Sequence, residues 1–376
     1  MKTIKLPFKV KRPILACGAD LKGAFALAAG DTAYLVEGFG PLNDPDNLRA
    51  YEASVSLHEK ILGLRPATIA RDRHPDYHSS RFAEAHAAGL KIPHMRDIQH
   101  HTAHVASAIV ENSIGDGLIG VAFDGSGYGL DGRIWGGEFF VGGLKGFRRA
   151  AHFDYMPMPG GDQAVREPWR MAISYLYRAF GEDFPAQYPD IVKGSRKGRS
   201  SVIRKMIDGN FNSPLTSSAG RLFDGVASLI LSRDTASFEA ELPVELERIV
   251  AGENHESYRF DIKPKNGVFI IEISGMIRGI VRDLRNKTDK SVVSAKFHNT
   301  IAEIIGATAA GLRKKFKLQK ITLSGGVFQN RYLTDRAVHI LNKEGFFVYT
   351  HSKINTNDNG IPVGQLAMAD AEGSCV

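Results

Sequence analysis

Residues 117–144 read GLIGVAFDGSGYGLDGRIWGGEFFVGGL, an apolar run through Phe123, a turn holding Asp124 and four glycines, and a second apolar run from Ile134 to Val141. Two short apolar runs separated by glycine and aspartate have the pattern of paired strands. RPILACGADLKGAFALAAGDTAYLVEG, residues 12–38, repeats the design with a strand, a tight turn from Asp20 to Gly23 and further short strands. Two such units in one chain point to duplicated lobes.

Working outward, DNLRAYEASVSLHEKILG (46–63) spaces Leu48, Tyr51, Val55, Leu57 and Leu62 at helical intervals and ends on Gly63, so a helix is expected from Asp46. ATIARDR is then a strand, DYHSSRFAEAHAAG a helix, KIPHMRDI a strand, and the histidine-bearing stretch that follows another helix. Alternation of this kind implies an α/β lobe with some parallel pairing. From Met156 to Tyr258 the pattern turns helical and irregular, with EPWRMAISYLYRAFG, RSSVIRKMID, GRLFDGVASLILS and ELPVELERIVAG separated by Pro, Gly and Ser. It reads as a helical insertion. YRFDI and VFIIEIS are then expected strands, VSAKFHNTIAEIIGATAAGLRKKF a long helix, and KITLSGGV a buried strand leading into the helix NRYLTDRAVHILNKEG. The expected division is 1–155, an N-terminal α/β lobe running into the second glycine-turn unit; 156–258, the insertion; and 259–376, a C-terminal α/β lobe with a Gly-Gly turn.

The 376 residues exceed what one hydrophobic core usually serves, and 43% hydrophobic with 24% charged residues describes an ordinary globular chain. A net charge of +7 suits phosphate-bearing ligands, and equally suits simple solubility. Two cysteines, Cys17 in an apolar run and Cys375 in a polar tail, exclude a disulfide framework and a four-cysteine zinc site. Cys17 is read as core and Cys375 as a solvated tail residue. No cleavable leader and no apolar run near the ~20 residues of a membrane span is visible, so a cytoplasmic location is expected. The basic run Lys193 to Lys205 is read first as a solvated loop.

IQHHTAHVASAIVEN, residues 98–112, places His100 and His104 four residues apart, on one face of the expected helix, while His101 points elsewhere. That spacing can put two imidazoles on one cation. The residue after His100 is histidine rather than glutamate, so the general base of a zinc protease is missing. The spacing leaves a metal pair and a hydrogen-bonded polar helix start equally open. A third ligand could be Asp358 in NTNDNGIPVGQLAMA, a turn opening an apolar helix, giving a two-histidine, one-carboxylate set for iron, zinc or manganese. The same turn taken alone is an ordinary helix cap.

GADLKGA, FDGSGYGLDG and LSGGVFQN each follow an apolar strand, and glycine lets backbone N–H groups approach phosphate oxygens. Phosphates are placed at Asp124, Gly125, Ser126 and Gly127. Asp124 would act there through Mg²⁺ or a metal-bound water, since a bare carboxylate repels phosphate. Lys22 could supply positive charge, and Gly325, Gly326 and Asn330 are candidates for the adenosine side.

The layout resembles the actin, hexokinase and Hsp70 class, in which two ribonuclease-H-like lobes clamp a nucleotide. The motifs in order, GADLKGAF, QHHTAH, AFDGSGYGLDGRIWGGEFF, REPWRMA, SSAGRLFDGVA, AKFHNT, LSGGVFQNRYL and NDNGIPVGQ, resemble the C-terminal domain of the HypF hydrogenase-maturation carbamoyltransferases over almost the whole chain. That domain is similar to TsaD-type tRNA threonylcarbamoyladenosine transferases and to O-carbamoyltransferases such as TobZ. Two departures stand out: Gly23 where LKN is usual, and Asn359 where NDGGI is usual.

The resemblance implies a metal on His100, His104 and Asp358, with ATP, AMP or carbamoyl adenylate in the cleft. It implies carbamoyl transfer from carbamoyl adenylate to the C-terminal cysteine thiol of a HypE-like acceptor, a step toward the cyanide ligand of nickel–iron hydrogenase. Lys22 and Asp124 would serve the reaction. Full-length relatives also carry acylphosphatase, zinc-finger and YrdC-like domains, and none is expected within these 376 residues. A YrdC-like partner would therefore supply the adenylate. A tRNA-modifying enzyme, an O-carbamoyltransferase and a non-catalytic nucleotide-binding subunit are the alternatives, and neither nucleic acid nor membrane is an expected partner.

Overall fold

The structure is a computed structural model and describes residues 1–188, 191, 198–252 and 254–372. Cys375 and part of the run Lys193 to Lys205 lie outside the described residues.

The first sheet is built from β1 (Lys2–Ala16), β2 (Phe25–Val36), β3 (Thr68–Asp72) and β4 (His94–Ile98), in the order β2-β1-β3-β4. β1 and β2 are antiparallel, and β3 and β4 run parallel to β1. β2 is one continuous strand rather than several short ones, because register shifts along β1 between Lys5, Val10 and Ile14 absorb the Ala-Gly-Asp interruption. Helix α1 (Pro45–Leu62) is capped by Asp44, which accepts from the N–H groups of Asp46 and Asn47, and Gly63 ends it in the left-handed region at φ 61°. Helix α2 (His78–Leu90) crosses from β3 to β4, and α3 (His100–Glu111) follows β4.

The second sheet repeats this plan. β5 (Leu118–Tyr128) and β6 (Ile134–Gly143) form the antiparallel hairpin, and β7 (Gly146–Phe153) extends it beyond β6. The insertion contributes β8 (Met156–Pro157), α4 (Gln163–Arg166), α5 (Trp169–Phe180), α6 (Phe184–Gln187), α7 (Arg199–Asp208), β9 (Leu215–Thr216), α8 (Ala219–Leu231) and α9 (Glu241–Arg248). After β10 (Asp261–Lys265), β11 (Val268–Glu272), α10 (Ser274–Arg285) and α11 (Lys290–Phe316), the chain returns as β12 (Lys320–Ser324), crosses through α12 (Arg331–Lys343) to β13 (Phe347–Tyr349), and ends in α13 (Ile361–Glu372). The sheet order is β10-β11-β7-β6-β5-β12-β13, with β12 parallel to β5 and β13 parallel to β12.

Each lobe is thus an antiparallel hairpin followed by a parallel β-α-β pair and a closing helix. The expected grouping of residues 1–155 spans both sheets, since Ile119 to Ala122 pair with Ile321 to Ser324 and β5 is the centre of the second sheet. The two closing helices, α3 and α13, occupy matching places and meet at Gly364, where a Cβ would lie 1.9 Å from the Ala103 carbonyl oxygen. No other residue permits that approach. Behind the second sheet, α5, α8 and α11 bury Phe223 and Phe297 with Phe123 and Phe139 in one core, each such ring contributing about 1.5–3 kcal/mol. This packing leaves β5, the start of α3 and the start of α13 converging at the junction of the lobes.

Candidate active site

Helix α3 opens with Gln99, whose Oε1 accepts the Thr102 N–H at 2.9 Å, so His100 occupies the first helical position and His104 the next turn. Both rings are fully buried. His100 Nδ1 is 2.8 Å from Asp72 Oδ2 at the end of β3, and the carboxylate accepts the ring hydrogen. Nε2 is thereby turned toward Asp124 Oδ2 at 3.4 Å and Asp358 Oδ1 at 3.8 Å. His104 Nε2 lies 3.5 Å from Asp358 Oδ1 and 3.9 Å from Asp124 Oδ1. Neither Nε2 atom has a hydrogen-bond partner.

These four side chains offer ligand atoms that all lie within 4.8 Å of one another. Donors about 2.1 Å from a tetrahedral centre stand roughly 3.4 Å apart, so separations of 3.4–3.9 Å fit a shared cation better than direct hydrogen bonds. The donor set, two imidazoles and two carboxylates, suits iron, zinc or manganese. Asp72 on His100 is the outer partner that such a ligand histidine ordinarily has. Burial alone would lower the His100 pKa, but Asp72, Asp124 and Asp358 outweigh it and raise the value well above the ordinary one. Burial would raise the Asp124 carboxyl; His100 and His104 hold it far below the usual carboxylate range. His101 turns the other way, against Trp135, with Nδ1 3.0 Å from Gln99 Nε2, and burial followed by the His100 charge pushes it down to about 3.

The cluster opens onto a cleft of about 690 Å³ lined by Lys22, Gly125, Ser126, Gly326, Asn330 and Asp358, among others. Gly326 N–H donates to Asp124 Oδ1 at 2.9 Å, tying the β12 turn to β5. Two expected contact residues are placed elsewhere. Gly127 lies behind the wall, where a Cβ would meet the His101 and His100 rings at 2.6 and 2.8 Å, and at Gly325 (φ 104°) a Cβ would stand 2.2 Å from the Phe123 carbonyl oxygen. At both positions close packing requires glycine. Asp124, expected beside the phosphates through Mg²⁺ or a metal-bound water, stands with the histidines.

The opposite wall comes from the insertion, and sequence reasoning assigned none of it. Arg221 and Asp224 form a buried pair at 2.8 Å, and burial raises the Asp224 carboxyl despite Arg221. Lys22 Nζ reaches Glu239 Oε2 at 3.3 Å across the cleft, while Phe223, Pro243 and Val244 give it an apolar side. Arginine and aspartate three apart on an otherwise apolar helix, as in GRLFDGVA, were the available signal for the buried pair.

Two lobes of one topology closing on a cleft, with candidate ligand residues drawn from both, place the chain in the actin/hexokinase/Hsp70 class. The family is narrower. Residues 9–111 match the model of the HypF Kae1-like domain, and residues 120–365 that of the carbamoyltransferase Kae1-like domain, second subdomain. A carbamoyltransferase HypF homolog of Cupriavidus necator is 31% identical over 95% of this chain and 91% of its own length. The carbamoyltransferase HypF of a Synechocystis strain is 31% identical over 96% of this chain and 48% of that protein. Full-length HypF solved in its phosphate- and nucleotide-bound form superposes with a TM-score of 0.92 at 36% identity, over 98% of this chain and 57% of that one. HypF of T. kodakarensis gives 0.88 at 27%, over 99% and 49%. The chain belongs to the HypF carbamoyltransferase family, and spans about half the length of the first curated relatives it matches. Among the described residues no helix is long and apolar enough to cross a membrane.

Proposed function

We propose that this chain transfers a carbamoyl group from carbamoyl adenylate to a protein thiol, the C-terminal cysteine of a HypE-like acceptor, in assembly of the hydrogenase cyanide ligand. The observation that carries the reading is the buried His100, His104, Asp124 and Asp358 cluster at the edge of a nucleotide-sized cleft in a HypF-family chain. Their unpartnered Nε2 atoms and two carboxylates fit a divalent ion. Bound there, such an ion supplies Lewis acidity toward a carbonyl or phosphate oxygen.

The chain's own residues bind and orient. The backbone at Gly125 and Ser126 can approach the adenylate phosphate, and Lys22 offsets its charge. Gly326, Val327 and Asn330 face the adenosine, opposite Pro243 and Val244. The acceptor thiolate attacks the carbamoyl carbon, the bond from that carbon to the phosphate-bridging oxygen breaks, and AMP leaves. Lys22 beside the leaving phosphate lowers the barrier because negative charge develops there. No internal cysteine is needed, and Cys17 is fully buried under the Tyr51 hydroxyl, which donates to its carbonyl oxygen at 2.7 Å. A YrdC-like domain or protein supplies the adenylate.

The test is to incubate the protein with carbamoyl adenylate and either the acceptor protein or tRNA, then analyse both by mass spectrometry. A carbamoyl adduct on the tail cysteine is expected, and labelling of tRNA alone would move the chain to the TsaD type of activity.

A further inference from the structure

We propose that His298 is a positioning residue that fixes the polarity of the Asn330 side-chain amide where it faces the cleft. The inference rests on the placement of adenosine at Gly326 and Asn330 given above.

AKFHNT, residues 295–300, lies in α11, away from the metal cluster, yet its histidine is fully buried. The ring is packed edge-on against Phe223 and Tyr332. Its Nδ1 is 2.8 Å from the Ser294 carbonyl oxygen, which can only accept, so Nδ1 carries the hydrogen. The Ser294 hydroxyl is turned to the Leu246 carbonyl oxygen at 2.6 Å. Nε2 is then an acceptor, and its partner at 2.9 Å must donate, which identifies that atom as Asn330 Nδ2 rather than Oδ1. Asn330 Oδ1 in turn accepts the Leu333 N–H at 2.8 Å and caps α12. The two contacts agree on one amide orientation.

One Nδ2 hydrogen and one Oδ1 lone pair remain, and Asn330 lines the cleft. A donor beside an acceptor complements adenine, whose exocyclic amine donates and whose neighbouring ring nitrogen accepts. Hypoxanthine presents a carbonyl where adenine has the amine. Burial pushes His298 down to about 4, so it is neutral near pH 7, the form able to accept from Asn330. The histidine therefore acts on the ligand only through the asparagine.

The experiment is calorimetric titration of AMP and IMP into the wild type, His298→Phe, His298→Gln and Asn330→Asp, with metal content measured alongside. Wild type is expected to prefer AMP roughly tenfold. His298→Phe keeps the ring volume without the acceptor and should bring the preference toward one while metal content holds. Asn330→Asp should do the same, and His298→Gln, which retains an acceptor, should recover part of the ratio. A folded His298→Phe with the wild-type ratio would show that the ring only packs. If that variant does not fold, Asn330→Asp or His298→Gln with a ratio contrary to these expectations overturns the inference. Equal wild-type affinities for AMP and IMP refute it while leaving the nucleotide cleft standing; binding of neither nucleotide refutes the cleft placement itself.

Discussion

Asp20 follows the first strand of one hairpin and Asp124 lies in the first strand of the other, and the molecule spends them differently. Asp20 accepts the N–H groups of His78 and Ser79 at 2.8 and 2.9 Å, with His78 Nδ1 at 2.8 Å, so both its oxygens are consumed in starting α2. Asp124 accepts one backbone N–H, from Gly326, and its other oxygen stands 3.4 Å from His100 Nε2. One carboxylate is held by the fold. The other keeps coordination capacity, because α12, the counterpart of α2 in the second lobe, is capped by Asn330, whose side chain accepts the Leu333 N–H at 2.8 Å. In a duplicated fold, chemistry can settle where the repeated structural demand is relaxed.

The largest effect should come from breaking the second half of that comparison. Asp124→Asn and His104→Ala are each expected to remove most of the bound metal and of the transfer activity, since each deletes a ligand of a small donor set. Elemental analysis checks this, and metal content equal to wild type in His104→Ala would dissolve the cluster as a site. Gly326→Val comes next. Its Cβ would stand 2.9 Å from Asp124 Oδ1 and place a branched side chain on the cleft wall, so AMP affinity should fall at least about tenfold with the fold retained. Unchanged affinity would move the nucleotide elsewhere. Asp20→Asn should cost about 1 kcal/mol of stability, since the amide offers one acceptor oxygen where the carboxylate uses two, and leave metal stoichiometry alone. Denaturant unfolding beside metal analysis separates the two aspartates.

A stability effect of the same order as that of Asp20→Asn concerns how α3 is held to the Asp358 turn. Glu111, at the far end of the helix bearing His100 and His104, accepts the N–H of Ser352 at 2.7 Å and that of Ile354 at 3.3 Å, and pairs with His351 Nδ1 at 2.8 Å. Burial raises its pKa, but the His351 contact and the backbone donors win and lower it from 4.5 to about 2. A depressed carboxyl contributes stability above its unfolded value and loses it as pH falls, here from about 4.5 toward 2. Glu111→Gln should cost about 1–2 kcal/mol near neutrality, with the difference from wild type shrinking through that window. A difference constant from pH 6 to 2.5 would contradict the assignment.

Sequence reading captured the parts set by local periodicity. His100 and His104 were legible because four residues is a helical repeat, and the helix after Asp46 because its apolar spacing and Gly63 are local signals. Asp358 came as a candidate through its turn and through resemblance. A role for Asp124 beside a metal ion was legible, but its place beside His100 and His104 was not, because that depends on β5 lying against α3, with Gly127 allowing the imidazoles onto the strand. Glu239 reaches Lys22 across 217 positions, and Asp72 reaches His100 from another strand, so neither pairing leaves a local trace. Residues 1–155 were grouped as one lobe because the hairpin of β5 and β6 reads the same whichever sheet it joins; only its pairing with β12 decides.

The central claim is that ligand residues from both lobes hold one metal beside a nucleotide. Crystals grown with AMP and the purified protein's own metal, measured at that metal's absorption edge, test it most directly. The account predicts a single anomalous peak about 2.0–2.2 Å from Nε2 of His100 and of His104, with Asp358 and Asp124 around it and phosphate density toward Gly125 and Ser126. An anomalous map with no peak among these four side chains, in crystals whose cleft holds AMP, would contradict it.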